Sequence, residues 1–214
     1  MRWFLCLVVA AAFSAACAAY GDRTSSEPSP QQGVQGGGAN DTLHWPALPV
    51  TYCLDLAQDG YADPATFTRL VHMAFDAWGV ESQDRGRCDG GLKESDQRNE
   101  IGWGAPPVPP ANGPGVYEAG YTRLRFRNCT RNCHGIASDL LEADVIIDRN
   151  APRTYRNERC LYSVLLHEVG HLLGLPHMPA PSVMASVTNS CPQEPTDADR
   201  RALADLYGGA LSQR

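Results

Sequence analysis

Apolar positions recur every three or four residues over one stretch of the chain, at Phe67, Leu70, Val71, Ala74, Phe75 and Trp78. That period places them on one face of a helix. Asp63-Pro64 supplies an N-cap followed by proline at the first helical position, and Gly79 supplies a stop. The Phe and Trp residues of this stripe read as core and not as a ligand-binding face. Ahead of it, Pro49-Val50-Thr51-Tyr52-Cys53-Leu54 is β-branched and aromatic enough for a strand, bounded by Pro49 and the Asp59-Gly60 turn. Asn99 to Trp103, Ala119 to Leu124 and Ala143 to Asp148 predict further strands, while the proline-rich run from Ala105 to Gly115 predicts a loop. Alternate arginines at 123, 125 and 127, with Arg131 beyond, read as a solvated strand face.

A different pattern follows. Between Cys160 and Leu173 the chain is apolar almost all round, interrupted by His167, Glu168 and His171. Such a helix is buried, and its polar groups need partners, because an unpaired charge in an apolar site either costs several kcal/mol or shifts to neutrality. A last helix starts at Thr196, whose hydroxyl forms a capping box with Asp199. Its core face is Leu203, Leu206 and Tyr207, and Gly208-Gly209 ends it. No internal repeat is present, and this order of elements describes one α/β domain of the mixed α+β kind, ending in helices.

Composition bounds the partners. The 214 residues are 43% hydrophobic and 20% charged, with a net charge of −6, and no run of Lys or Arg is long enough to neutralise a polyanion. Nucleic acid is therefore not an expected partner. Met1-Arg2, the apolar run Trp3 to Phe13 and the small residues through Ala19 have the three parts of a secretory signal, expected to span 1–16. The apolar run is shorter than the roughly 20 residues a membrane span needs. Ser14-Ala15-Ala16-Cys17 resembles a bacterial lipobox, which would make Cys17 a lipid anchor, whereas Ala16-Cys17-Ala18 fits ordinary signal cleavage. Residues 17–40, rich in Gly, Ser, Pro and Gln, read as a flexible tether, and 41–214 as the folded domain. The expectation is an exported protein, either an envelope lipoprotein or secreted. Cysteines 53, 88, 129, 133, 160 and 191 then suit three disulfides, whose pairing stays open apart from the local proximity of Cys129 and Cys133. A second metal site from Cys129, Cys133 and His134 lacks a fourth ligand.

The buried helix carries the chemistry. In His167-Glu168-Val169-Gly170-His171 the histidines are four apart and share one helix face, so both can reach one metal ion, while Glu168 lies beside it as a candidate general base. Gly174 can turn the chain back and bring in His177 as third ligand. The eleven residues from His167 to His177 resemble the H-E-x-x-H-x-x-G-x-x-H motif of metzincins in every fixed position. Pro181-Ser182-Val183-Met184-Ala185 stands where that family has its Met-turn, and Ser-Val-Met resembles the matrixin branch. The likeness extends in element order over roughly residues 42 to 208.

That resemblance implies a zincin-like fold: a twisted mixed sheet with an antiparallel edge strand, a long active-site helix, a Met-turn and a C-terminal helix. It places Gly120-Tyr121-Thr122 in the edge strand that pairs with an extended peptide. It implies one catalytic zinc ion on His167, His171 and His177, Glu168 as general base toward metal-activated water, and Met184 as a structural floor. The substrate would be a protein or peptide. The chain departs from matrixins at Met178, where they usually have Ser, and at Ala185-Ser186, which replaces an aromatic-proline segment; specificity is therefore not carried over. Two rival readings are a zinc hydrolase of cell-wall peptide amides and a non-catalytic zinc-containing envelope lipoprotein. An intact Glu168 argues against the second. Calcium ligation by Asp139, Glu142, Asp144 or Asp148 is left unassigned, such carboxylates being usually surface or capping residues, and a monomer is the default expectation.

Overall fold

The computed structural model describes residues 14–15, 18–21, 43–88, 90–105, 116–117, 119–126, 138–186 and 190–208. In chain order these form strands β1 (Ser14–Ala15), β2 (Ala18–Gly21), β3 (Leu43–His44) and β4 (Val50–Asp55), helix α1 (Pro64–Trp78), and strands β5 (Ser82–Arg87) and β6 (Glu100–Gly104). Strands β7 (Val116–Tyr117), β8 (Gly120–Phe126) and β9 (Ser138–Asp148) precede helices α2 (Glu158–Leu172) and α3 (Asp197–Tyr207). Arg127, Arg131, Cys129, Cys133, His134 and most of the predicted proline-rich loop lie outside the described residues.

Helix α1 forms as its periodicity predicts. The Asp63 side chain accepts the Ala65 and Thr66 amides, and Gly79 stops the helix at φ 69°, a left-handed conformation that costs glycine little. All six residues of the predicted stripe are buried. Tyr52 of β4 stacks on Phe75 with ring centroids 4.5 Å apart, and Phe67 packs on Trp103 of β6. Trp78 carries the contact on to the second helix, its indole N–H donating to the Leu166 carbonyl at 2.9 Å.

The main sheet runs β2-β8-β9-β6-β4-β5, with β3 also paired to β9. Its pairings are parallel except β8 with β9, which is antiparallel. The expectation of an antiparallel strand at the sheet edge needs correcting. Strand β8 is antiparallel to β9, but Ala18–Gly21 pairs with it in parallel on its other side and is the outermost strand. Those four residues belong to the segment read as tether, and Ser14–Ala15, at the end of the expected signal, pairs with Val116–Tyr117.

Two of the longer strands also differ from expectation. The polar Ser82–Arg87 segment has no hydrophobic alternation to announce it, yet it pairs with β4 and is fastened there by a disulfide between Cys53 and Cys88. Strand β9 begins five residues before the predicted Ala143, because Leu140 to Ala143 pair with β8 despite their helix-forming composition.

The sheet face opposite α1 and α2 is polar but not solvated. Glu142 and Asp144 are 2% and 1% exposed, so reading them as surface carboxylates does not hold, nor does reading Arg123 and Arg125, whose side chains are 13% and 23% exposed, as part of a solvated face. Glu142 accepts the Ser95 amide at 2.6 Å, the Gln97 amide at 2.8 Å and the Arg125 guanidinium at 3.0 Å. Asp144 accepts Arg123 through two nitrogens, at 2.9 and 3.2 Å, and the Glu100 amide at 3.2 Å. Burial nonetheless pushes the Asp144 carboxyl up to about 7, against the pull of Arg123. Thus the arginines tie β8 to β9, and Glu142 holds Ser95 and Gln97 over the sheet.

A second disulfide joins Cys160, at the start of α2, to Cys191. No described helix is long and apolar enough to cross a membrane. Each bridge closes a loop of moderate length, with sequence separations of 35 and 31 residues. Chain-entropy reasoning puts such closures at about 3 to 4 kcal/mol. Non-reducing peptide mapping should recover Cys53–Cys88 and Cys160–Cys191 cross-links, and reduction should lower unfolding stability by about that amount per bridge. Scrambled pairs in the folded protein would contradict this arrangement.

Candidate metal centre

Helix α2 starts at Asn157, whose side chain accepts the Cys160 amide at 2.9 Å, and from Leu161 to Leu172 nearly every residue is buried. Two glycines shape it. A Cβ on Gly170 would lie 2.3 Å from the Met184 sulfur and 2.9 Å from the Trp78 ring, so only glycine admits both beneath the helix. Gly174 has φ 97° and would put a Cβ 2.1 Å from the Leu43 carbonyl oxygen, so it both reverses the chain and lets strand β3 approach. The helix's last carbonyls are satisfied from outside, Leu172 by the Trp45 indole and Leu173 by the Tyr207 hydroxyl, both at 2.9 Å.

This scaffold brings His167, His171 and His177 together, with one ligating atom of each within 4.8 Å of the others. His167 and His171 are 6% and 2% exposed, while His177 sits on the exposed rim. Nδ1 of His167 lies 2.6 Å from the Val183 carbonyl oxygen and Nδ1 of His171 lies 2.8 Å from that of Leu175. A carbonyl can only accept, so in both rings Nδ1 carries the proton and Nε2 presents a lone pair. The two Nε2 atoms are 3.0 Å apart. With both protons on Nδ1, two lone pairs face each other at that distance, an arrangement a shared cation relieves. Two nitrogens bound at roughly 2.0–2.1 Å to a tetrahedral ion would lie about 3.3 Å apart, close to the spacing found, and a three-imidazole set suits zinc. Burial pushes His167 down to about 4 and His171 well below the usual histidine value, and desolvation also lowers His177. The rings are thus held neutral, the form that binds metal.

Glu168 is fully buried and turned toward β8. Its Oε2 accepts the Thr122 hydroxyl at 2.7 Å, and a Cβ on Gly120 would come within 3.2 Å of its Cγ and Oε1. Sequence reasoning missed the part Thr122 plays. Its only signal is the alternation of β8, in which Gly120, Thr122 and Leu124 face inward.

Met184 is fully buried and packs on Gly170 as a floor, with its backbone carbonyl accepting the Met178 amide at 2.9 Å. The turn that carries it is fixed by Asp199. One Asp199 oxygen accepts the Ser182 hydroxyl, and the other accepts the Val183 amide at 3.1 Å, the Thr196 amide at 2.8 Å and the Thr196 hydroxyl at 2.7 Å. Desolvation opposes the ionised form, but these hydrogen bonds outweigh it and lower the Asp199 pKa. The expected capping box is present, and its acid also positions Val183, whose carbonyl orients His167.

Three of the candidate calcium ligands already have partners. Glu142 and Asp144 are engaged by arginines and backbone amides, and an Asp148 oxygen accepts the Asn150 amide at 2.8 Å. Among the described residues the other set of metal-type side chains is Cys53, Cys88 and Glu100, whose two sulfurs are bonded to each other.

Residues 91–208 match the family model described as matrixin, a family of zinc-dependent peptidases. No curated protein matches the chain. The matched span includes β6, β8, β9, α2, the Met184 turn and α3, and so contains the three histidines and Glu168.

Two measurements test this geometry. In metal-stripped protein His167 and His171 should remain neutral at pH 5.5, read from ring nitrogen chemical shifts, since burial depresses both. Titration of either near 6.5 would contradict their burial, since the hydrogen bonds to the Val183 and Leu175 carbonyls act in the opposite, raising direction. Asp199→Ala strands the Val183 and Thr196 donors and should cost about 2 to 4 kcal/mol of stability. Zinc affinity should also fall, by about 10- to 100-fold, because Val183 no longer fixes His167.

Proposed function

The chain belongs to the matrixin family, and on that premise we propose that it is a zinc-dependent endopeptidase in which His167, His171 and His177 hold one ion and Glu168 is the general base. The observation that carries this reading is the convergence of His177 with two buried, neutral imidazoles whose Nδ1 atoms are already committed to carbonyls. Zinc bound there would supply Lewis acidity toward a water molecule and toward the scissile carbonyl.

The chain's own residues do the rest. Glu168 takes the proton of the attacking water at its carboxylate and returns it to the departing amine, so no covalent enzyme intermediate forms. Its burial excludes competing solvent, and its bond to Thr122 keeps the carboxylate from swinging away. The outer edge of β8 provides backbone groups for an extended peptide. A peptide and Ala18–Gly21 cannot both use that edge, so substrate pairing there displaces the segment. A binding protein without catalysis has no use for a buried carboxylate beside the imidazoles.

The same reading places the protein outside the cytoplasm. It draws on the signal-like start, on Cys17 as a candidate lipid anchor, and on Cys53–Cys88 and Cys160–Cys191, which suit an oxidising compartment.

Glu168→Ala in the purified chain should bind zinc at wild-type stoichiometry and cleave a mixed quenched-peptide library about 10²- to 10⁴-fold more slowly. Equal turnover by the two proteins would sink the assignment of Glu168. Zinc binding without cleavage by either would count against the endopeptidase itself.

A further inference from the structure

Strand β8 touches the candidate base at two alternate positions. Gly120 and Thr122 both face α2, and they bracket the Glu168 side chain: Gly120 leaves room for Cγ and Oε1, and Thr122 holds Oε2. The Thr122 hydroxyl lies 2.7 Å from Oε2 and 3.0 Å from the backbone carbonyl oxygen of Glu168. One hydroxyl therefore spans the end of the side chain and the main chain of the same residue. The hydroxyl has one proton for these two acceptors and donates it to the carboxylate while Glu168 is ionised; once Glu168 is protonated at Oε2, the carboxyl can donate to the hydroxyl oxygen, whose own proton turns to the carbonyl. Thr122 is itself fully buried and β-branched, and within a strand its χ1 is restricted.

From this bracket, and resting on the reading of Glu168 as general base, we infer that Thr122 is the positioning residue for catalysis, fixing the Glu168 carboxylate relative to a peptide laid on the same strand. The outer backbone edge of β8 receives the substrate while its inner face holds the base, so one strand registers both. A long flexible glutamate otherwise has several rotamers of similar energy, and small displacements of a reacting group are costly in rate. The role belongs to the hydroxyl and not to the shape of the side chain, since valine would fill the same volume without a donor.

The test compares Thr122→Val and Thr122→Ser in the full chain, beside wild type and Glu168→Ala, with kcat, KM, bound zinc and Tm recorded for each. Thr122→Val should lower kcat by about 10- to 100-fold with KM within about twofold and zinc content unchanged. Thr122→Ser should return to within about threefold of wild type, because it restores the donor while losing the methyl group. A packing role gives the opposite order, valine active and serine impaired, and that order overturns the inference, as does wild-type kcat in Thr122→Val. If Thr122→Val does not fold, Thr122→Ala against Thr122→Ser decides by the same ordering. A zinc-loaded wild type that cleaves no peptide overturns the endopeptidase and this role together; an active wild type with an unaffected valine variant removes the Thr122 role alone.

Discussion

Helix α2 is buried along most of its length while carrying two imidazoles and a carboxylate, and the rest of the structure is arranged to satisfy them. Each polar group on such a helix must find a partner or give up its charge. The solution is distributed. A Val183 carbonyl takes one imidazole, a Leu175 carbonyl takes the other, and a threonine from the sheet takes the carboxylate. None of these partners lies on α2 itself. The turn after α2, the Met184 loop and strand β8 are therefore each held in place by what the helix requires, and the metal-binding face is what remains once the inward-facing atoms are used.

That dependence extends to elements remote from the imidazoles. Asp199 begins as an ordinary capping residue of α3 and, from the same oxygens, holds the Ser182-Val183 turn. A hydrogen-bond chain thus runs from the N-terminus of α3 through Val183 to His167. Gly170 performs the complementary steric task, since any side chain there would collide with Met184 and Trp78 at once. The methionine acts by volume, filling the space under the ligand helix, and the packing of α1 against α2 through Trp78 closes the same region from the other side.

On the far face of the sheet the physical problem is different. Glu142, Asp144, Asp55 and Glu100 are all buried there or beside it, more negative charge than Arg123 and Arg125 offset. Backbone amides of residues 95, 97 and 100 make up part of the difference. Burial also raises the pKa of both Glu100 and Asp144 and favours their neutral acids. A hydrogen-bonded segment stands over β9 in place of an apolar layer, while Ser82–Arg87, a strand with no hydrophobic residue, is held at the sheet edge by its pairing with β4 and the Cys53–Cys88 disulfide.

The sequence by itself determined what depends on spacing along one element. His167 and His171 share a face because they are four apart, α1 was legible from its stripe and its Asp63 and Gly79 ends, and the α3 cap from Thr196 and Asp199. Tertiary structure alone decided what depends on a partner far along the chain. Thr122 meets Glu168 across 46 residues, Asp144 meets Arg123 across 21, and Cys53 finds Cys88 across 35. Local propensity even pointed the wrong way at Leu140 to Ala143, where pairing with β8 overrode it. Helical periodicity is written into the backbone's own geometry, so it can be read residue by residue; the pairing of a buried polar atom is settled only when the folded chain brings a donor within about 3 Å, and that distance has no signature in the order of the residues.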